Sequence, residues 1–191
     1  SMESIQQTWN GTATGADGRC TATISRNGDL VHRMYIEVSG TTQNTPSNPG
    51  SCWINSVELE IGGQKIDRHT GQWMETWSEL TQRNDTPDTD RGRANLAASS
   101  GATGRNTLFQ NTTGMGGLCG DGIGNISVVY NVPLYFWFCR NPGLALPLIA
   151  LQYHEVKVIL DHQINQFLPN DNAAPQRNNL WCDYIYLDTD E

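Results

Sequence analysis

Side chains able to do chemistry are present in this chain, but their spacing assembles no familiar reaction centre. His154-Glu155-Val156-Lys157-Val158 begins like the zinc-protease H-E-x-x-H. Val158 stands where the second imidazole must be, and the segment reads as strand rather than helix. The four histidines, His32, His69, His154 and His162, include no H-x-H pair of the kind a metal-binding cupin presents. With three or four convergent ligands required, the expectation is no metal site. Gly114-Met-Gly-Gly-Leu-Cys119 and Gly120-Asp-Gly-Ile-Gly-Asn125 approach G-x-G-x-x-G but lack its last glycine and its strand-to-helix setting, so they read as loop. Neither G-x-S-x-G nor G-x-x-x-x-G-K-[ST] occurs. The acidic runs Asp88-Thr-Asp90 and Asp188-Thr-Asp-Glu191 have side chains able to touch calcium, but solvated turns are the commoner outcome for such runs. The residues thus predict no catalytic group, metal or cofactor. What they offer is four N-x-[ST] sequons, at Asn10, Asn84, Asn111 and Asn125, as possible glycosylation sites.

Composition narrows the classes further. Twenty acidic against twelve basic residues give a net charge of −8, which repels nucleic acid and anionic lipid. The apolar runs Val132 to Cys139 and Leu144 to Leu151 are eight residues each, whereas a spanning helix needs about 20. Ser1-Met-Glu-Ser has neither the basic nor the apolar region of a signal peptide. Five cysteines, Cys20, Cys52, Cys119, Cys139 and Cys182, form no C-x-x-C pair, and an odd, dispersed count reads as reduced thiols from a cytosol-like compartment. At 191 residues the length fits one domain. Nineteen glycines, eight prolines and many Asn and Thr suit an all-β chain with many turns.

The elements follow from periodicity. Asn27-Gly28 predicts a two-residue hairpin with Arg26 opposite Asp29 and Ile24 opposite Val31. Gly62-Gly63 predicts a second, with Glu60 against Lys65, Leu59 against Ile66, and Val57, Leu59 and Ile61 on one face opposite a wet one. Trp73, Trp77 and Leu80 then fall at helical spacing after a potential N-cap, Thr70. Residues 82–125 carry nine of the nineteen glycines and few apolar side chains, which predicts a long loop insertion. Ser127 to Phe138 reads as strand broken at Pro133, Arg140 to Gly143 as a turn, and Leu144 to Ile149 as an apolar connector. Val156 to Asp161 alternates as a strand, Gln163 to Asn179 reads as a polar loop, and Trp181 to Leu187 as a closing strand. The apolar block from Val132 to Val156 calls for a large sheet-on-sheet core.

That block, together with Ser56-Val-Glu-Leu-Glu-Ile-Gly-Gly-Gln-Lys-Ile-Asp-Arg-His69, Leu180-Trp-Cys-Asp-Tyr-Ile-Tyr-Leu-Asp-Thr-Asp-Glu191, Met2-Glu-Ser-Ile-Gln-Gln-Thr-Trp9 and Ile24-Ser-Arg-Asn-Gly-Asp-Leu30, resembles the double jelly-roll major capsid proteins of the nucleocytoplasmic large DNA viruses, the phycodnavirus, iridovirus and mimivirus group. The matches run in family order from end to end. The resemblance implies an antiparallel jelly-roll β-sandwich with one or two short helices and a long Gly-rich loop. It implies that residues 1–191 are one jelly roll of a longer protein, lacking a first strand before Met2 and a second jelly roll after Glu191. It further implies a homotrimer with pseudo-six-fold shape, strands upright in an icosahedral capsid, and loops, including 82–125, facing outward. Partners would be the protein itself, neighbouring capsomers and minor capsid proteins, with no direct nucleic acid or membrane insertion. Synthesis in the host cytoplasm and residence in the virion complete the expectation.

A competing reading is a carbohydrate-binding module or jelly-roll glycoside hydrolase. Six Trp and six Tyr offer a sugar platform and acidic pairs offer catalytic carboxylates. Tyr135, Trp137, Trp181 and Tyr184, however, sit in apolar runs suited to a core.

Overall fold

Ten strands among the described residues form two sheets, and alternating apolar residues such as Val156, Val158 and Leu160, or Leu180, Cys182 and Tyr184, bury the inner face of each against the other. The computed structural model describes residues 1–42, 47–82, 107–118, 126–169 and 175–187. One sheet has the order β1 (Met2–Gln7), β10 (Arg177–Ile185), β4 (Leu30–Thr42), β7 (Ile126–Pro133), with the short β8 (Leu146–Pro147) also on β4. The other runs β2 (Trp9–Gly11), β3 (Gly18–Thr23), β9 (Val156–His162), β5 (Ile54–Ile61), β6 (Gln64–His69). Every pairing is antiparallel, and apart from β2-β3 and β5-β6 neighbours come from distant parts of the chain, as in a jelly roll. Asn178, Leu180, Cys182 and Tyr184 of β10 face Val57, Leu59, Val158 and Leu160 of the opposite sheet across a core that includes Trp53, Phe136 and Phe138.

Strand register sorts the connections to two poles. Gln7, Arg177, Thr42 and Ile126 mark one end of the first sheet, and Gly18, Ile54, His69 and His162 the same end of the second. The connections 43–53, 70–125 and 163–176 therefore leave and rejoin the sheets at that pole. Links 24–29, the Gly62-Gly63 turn, the 148–155 turns and both Ser1 and Leu187 gather at the other, laced by Leu148 N–H to Asp29 O (2.9 Å), Gly62 N–H to Glu155 O (2.9 Å) and Tyr186 N–H to Ser1 O (2.8 Å).

Several expectations need correction. Asn27-Gly28 makes no hairpin: Ile24 N–H bonds Val156 O in one sheet (2.9 Å) while Asp29 N–H bonds Ile185 O in the other (3.1 Å). Residues 24–29 thus cross between layers, and neither Asn27 nor Gly28 takes the positive φ a type I′ turn demands. The Gly62-Gly63 turn does have it, at φ 61° and 81°, and pairs Glu60 with Lys65 as expected. Beyond it a bulge puts Leu59 opposite Asp67 rather than Ile66. The strand expected from Ser127 to Phe138 with a break at Pro133 ends at that proline, with one further bond from Leu134 N–H to Met34 O (3.0 Å), and does not resume to Phe138. A 3-10 turn, Trp137–Cys139, follows. The polar stretch 163–179 holds helix α3 (Ile164–Phe167) and the start of β10. Within 82–125 lies α2 (Leu108–Thr113), closed by a capping box between Thr107 and Gln110; residues 83–106 and 119–125 fall outside the described set.

Candidate functional site

Among the described residues no cluster of metal-ligating side chains forms, and the ordered side-chain arrays are those that make the faces of the sandwich rigid. Helix α1 (Gly71–Thr81) starts where expected, the Thr70 hydroxyl accepting from Trp73 N–H at 3.1 Å. Its core face is Gly71, Met74 and Ser78 rather than the expected stripe, and Leu80 is 78% exposed. Ser78 Oγ lies 2.9 Å from Tyr135 Oη and donates to Met74 O at 2.8 Å. Trp73 and Trp77 belong instead to a continuous ring stack. Arg140 sits 4.7 Å above Trp77, Trp77 stacks on Trp73 at 5.5 Å, Trp73 on His69 at 4.4 Å, His69 on Phe136 at 4.8 Å, and Phe136 on Phe138 at 5.8 Å. The stack joins β6, α1 and the 135–140 segment, closing the side of the sandwich where β7 and β6 end the sheets. Each such pair contributes about 0.5–1.5 kcal/mol beyond area burial. Burial holds the His69 pKa below the ordinary imidazole value against the opposing pull of Asp67, whose Oδ2 is 3.7 Å from Nε2.

Both outer faces are ordered across strands. On the β2-to-β6 sheet, Glu58, only 10% exposed in its side chain, meets Arg19 of β3 at 3.3 Å and, from β6, Lys65 at 2.8 Å and Arg68 at 3.5 Å. The expected wet side of the β5-β6 hairpin is therefore roofed by these three cations. On the other sheet Tyr35 and Trp181 stack at 6.4 Å and 7°, and Trp181 Nε1–H donates to Glu37 at 3.1 Å. The β1/β2 side differs: the chain merely bends at Thr8 from one sheet into the other, leaving β1, paired with β10 on one side, as an edge with no second strand neighbour among the described residues.

The candidate chemical residues stay apart. His32 Nδ1 is 3.2 Å from Phe138 O, His162 Nε2 is 2.8 Å from Thr12 O, and His154 abuts the Gly62 turn. Among the described residues no group of three or more His, Cys, Asp or Glu is placed to hold a metal ion. Cys20 and Cys182 are buried, Cys52 and Cys139 half-buried, and burial pushes the Cys20, Cys52 and Cys139 thiols up to about 12. Of the sequons, Asn10 is exposed on β2, whereas Asn111 is 7% exposed inside α2, where a glycan would require unpacking the helix. Asn84 and Asn125, Cys119, Gly120 to Asn125, Asp88 to Asp90 and Asp188 to Glu191 lie outside the described residues. Gly114, at φ 66°, ends α2, and Gly117 N–H donates to Glu75 Oε1 at 2.7 Å, so the first glycine motif is a structural turn. Sequence reasoning missed the Glu58 cluster: the predicted hairpin already brought Lys65 and Arg68 close to Glu58, but no local signal placed Arg19 of β3 across β9 from it.

Comparison with known proteins gives a consistent answer. The family described as "Major capsid protein N-terminus" matches residues 1–188. The major capsid protein of Pyramimonas orientalis virus is 42% identical over 198 aligned residues, covering 100% of this chain and 45% of the relative. That of Paramecium bursaria Chlorella virus 1 is 38% identical, covering 100% of this chain and 40% of the relative. This chain therefore spans under half the length of these curated relatives. A quasi-atomic structure of the PBCV-1 virus capsid superposes with a TM-score of 0.75 at 36% identity, over 100% of this chain and 43% of that one. The Faustovirus major capsid protein, at 12% identity and a TM-score of 0.58 over 100% of this chain and 55% of that one, shares the fold.

Proposed function

We propose a structural role in a viral shell, because this chain belongs to the major capsid protein family and matches its N-terminal part. The observation carrying this reading is the end-to-end family match of a two-sheet sandwich whose ordered features stiffen its sides. In the proposed role it is one jelly roll of a longer polypeptide, followed by a second and preceded by a further strand. The bare β1 edge supports that strand, since an unprotected edge is a ready template for pairing. Edge strand β6, by contrast, carries Lys65, Asp67 and Arg68, and β7 is packed by α2. Three such polypeptides form a pseudo-hexagonal capsomer, with strands upright in the shell and the pole of long connections, including 82–125, facing outward. Neighbouring capsomers and minor capsid proteins are the partners, and the work is packing and association rather than turnover. A net charge of −8 supports contact with protein instead of genome or membrane. The product is made in the host cytoplasm and resides in the virion, consistent with reduced thiols.

The test is to express the full-length reading frame and measure its mass by light scattering and its shape by electron microscopy. A trimer with pseudo-six-fold outline is expected; a stable monomer at capsid-forming concentration would overturn the proposal.

A further inference from the structure

We propose that the cleft where β1 bends into β2 binds a neutral saccharide. The cleft, about 520 Å³, lies at the pole of long connections, and Arg177 is the sole charged residue lining it. Its other polar groups are amides and hydroxyls. Two lining residues carry buried polar atoms with no partner among the described residues, a donor, Trp9 Nε1–H, and an acceptor, Asn178 Oδ1. Asn178 is 4% exposed and its Nδ2 donates to Ala13 O at 3.0 Å, which fixes the amide. A hydroxyl both donates and accepts, so adjacent sugar hydroxyls satisfy an orphan of each kind. On the outer face of the same two strands, at the edge of the cleft, Gln6 Nε2 donates to Asn179 Oδ1 at 3.1 Å, leaving Gln6 Oε1 and Asn179 Nδ2 as a second acceptor and donor. The half-buried Trp9 ring adds an apolar wall for a sugar's C–H face. The exposed Thr8 and Thr14 at the rim are the groups a ligand displaces on entry. One guanidinium is too little charge for a polyanion, and two apolar residues, Trp9 and Ala13, too little surface for a lipid tail. The inference is independent of the shell reading.

The test is a titration of the 15N-labelled chain, separately, with cellotriose, mannotriose, triacetylchitotriose and tetra-alanine, following the Trp9 indole N–H resonance assigned through W9F. A saturable shift with at least one trisaccharide is expected. Gln6→Ala and Asn179→Ala, both at the rim, should each weaken that binding by about threefold to tenfold, one hydrogen bond's worth, without moving the thermal midpoint. The proposal is overturned by no saturable shift with any saccharide, by unchanged affinity in both variants, or by tighter binding of the peptide. It is equally overturned if the free protein's Trp9 N–H is protected from exchange and unmoved by sugar, because Trp9 and Asn178 then satisfy each other.

Discussion

Replacing Gly71 by alanine sets two opposing effects against each other at the first residue of α1. Alanine is the better helix former by about 1 kcal/mol in a helix interior, and by less at the first turn. A Cβ built on Gly71, however, lies 2.2 Å from Ser51 O and 2.5 Å from Ile54 O. Neither oxygen is free to retreat. Ser51 O accepts from Ile54 N–H at 3.1 Å, Ser51 N–H is bonded to Asn48 O at 3.0 Å, and Ile54 opens β5. The helix must then move roughly 1 Å, an overpacking cost of about 1–3 kcal/mol, with a further loss of about 1 kcal/mol if the Ser51–Ile54 bond breaks. The net expectation is destabilisation by about 2–3 kcal/mol, or a fall in Tm of roughly 4–12 °C for a domain of this size. Urea unfolding followed by tryptophan fluorescence measures it. Gly143→Ala is the control, since its Cβ meets nothing closer than Asn141 Oδ1 at 3.4 Å, and it should stay within about 0.5 kcal/mol of the parent. If Gly71→Ala is as stable as the parent or more so, helix propensity wins and the tight α1 contact is wrong.

Glu58→Gln should cost about 1–2 kcal/mol, three ion pairs discounted because Arg19, Lys65 and Arg68 are 57–62% exposed. That loss should shrink in 1 M salt, where the Debye length is about 3 Å; an equal loss at both salt concentrations would assign the effect to packing. His69 is held neutral by burial, so its folded pKa lies below the unfolded value. The unfolded chain then binds more protons, and stability should be constant above about pH 6.5 and fall as pH drops below it. Urea midpoints between pH 8 and pH 5 should decline more steeply for the parent than for His69→Gln, and parallel curves would refute the assignment. In a Cys119→Ser background the native thiols, with Cys20, Cys52 and Cys139 raised to about 12, should react with a disulfide reagent at pH 8 at least about a hundredfold more slowly than in urea. Rapid labelling of the native protein would contradict the burial.

Legibility followed the range of the physics involved. The alternation of Val156, Val158 and Leu160, the Thr70 cap and the Gly62-Gly63 turn are local, and each appears where the residues put it. Asn27-Gly28 carried an equally strong local signal and misled, because the partner of Ile24 is Val156, far along the chain. The Trp73 and Trp77 spacing was visible, but not that His69, Phe136 and Arg140 complete their stack. Glycine content flagged turns without separating flexible positions from Gly50, where a Cβ would sit 1.9 Å from Thr113 O. Even α2 had a readable signature in Thr107 and Gln110, overlooked inside a stretch judged by composition alone.

The sorting of connections to opposite poles has an engineering consequence. A peptide epitope spliced between Gln82 and Thr107 would be displayed away from any label attached at Ser1, and its length would tax the fold only logarithmically. Such a chain would present antigen at one pole while keeping its tether at the other, with the strands between them left unaltered.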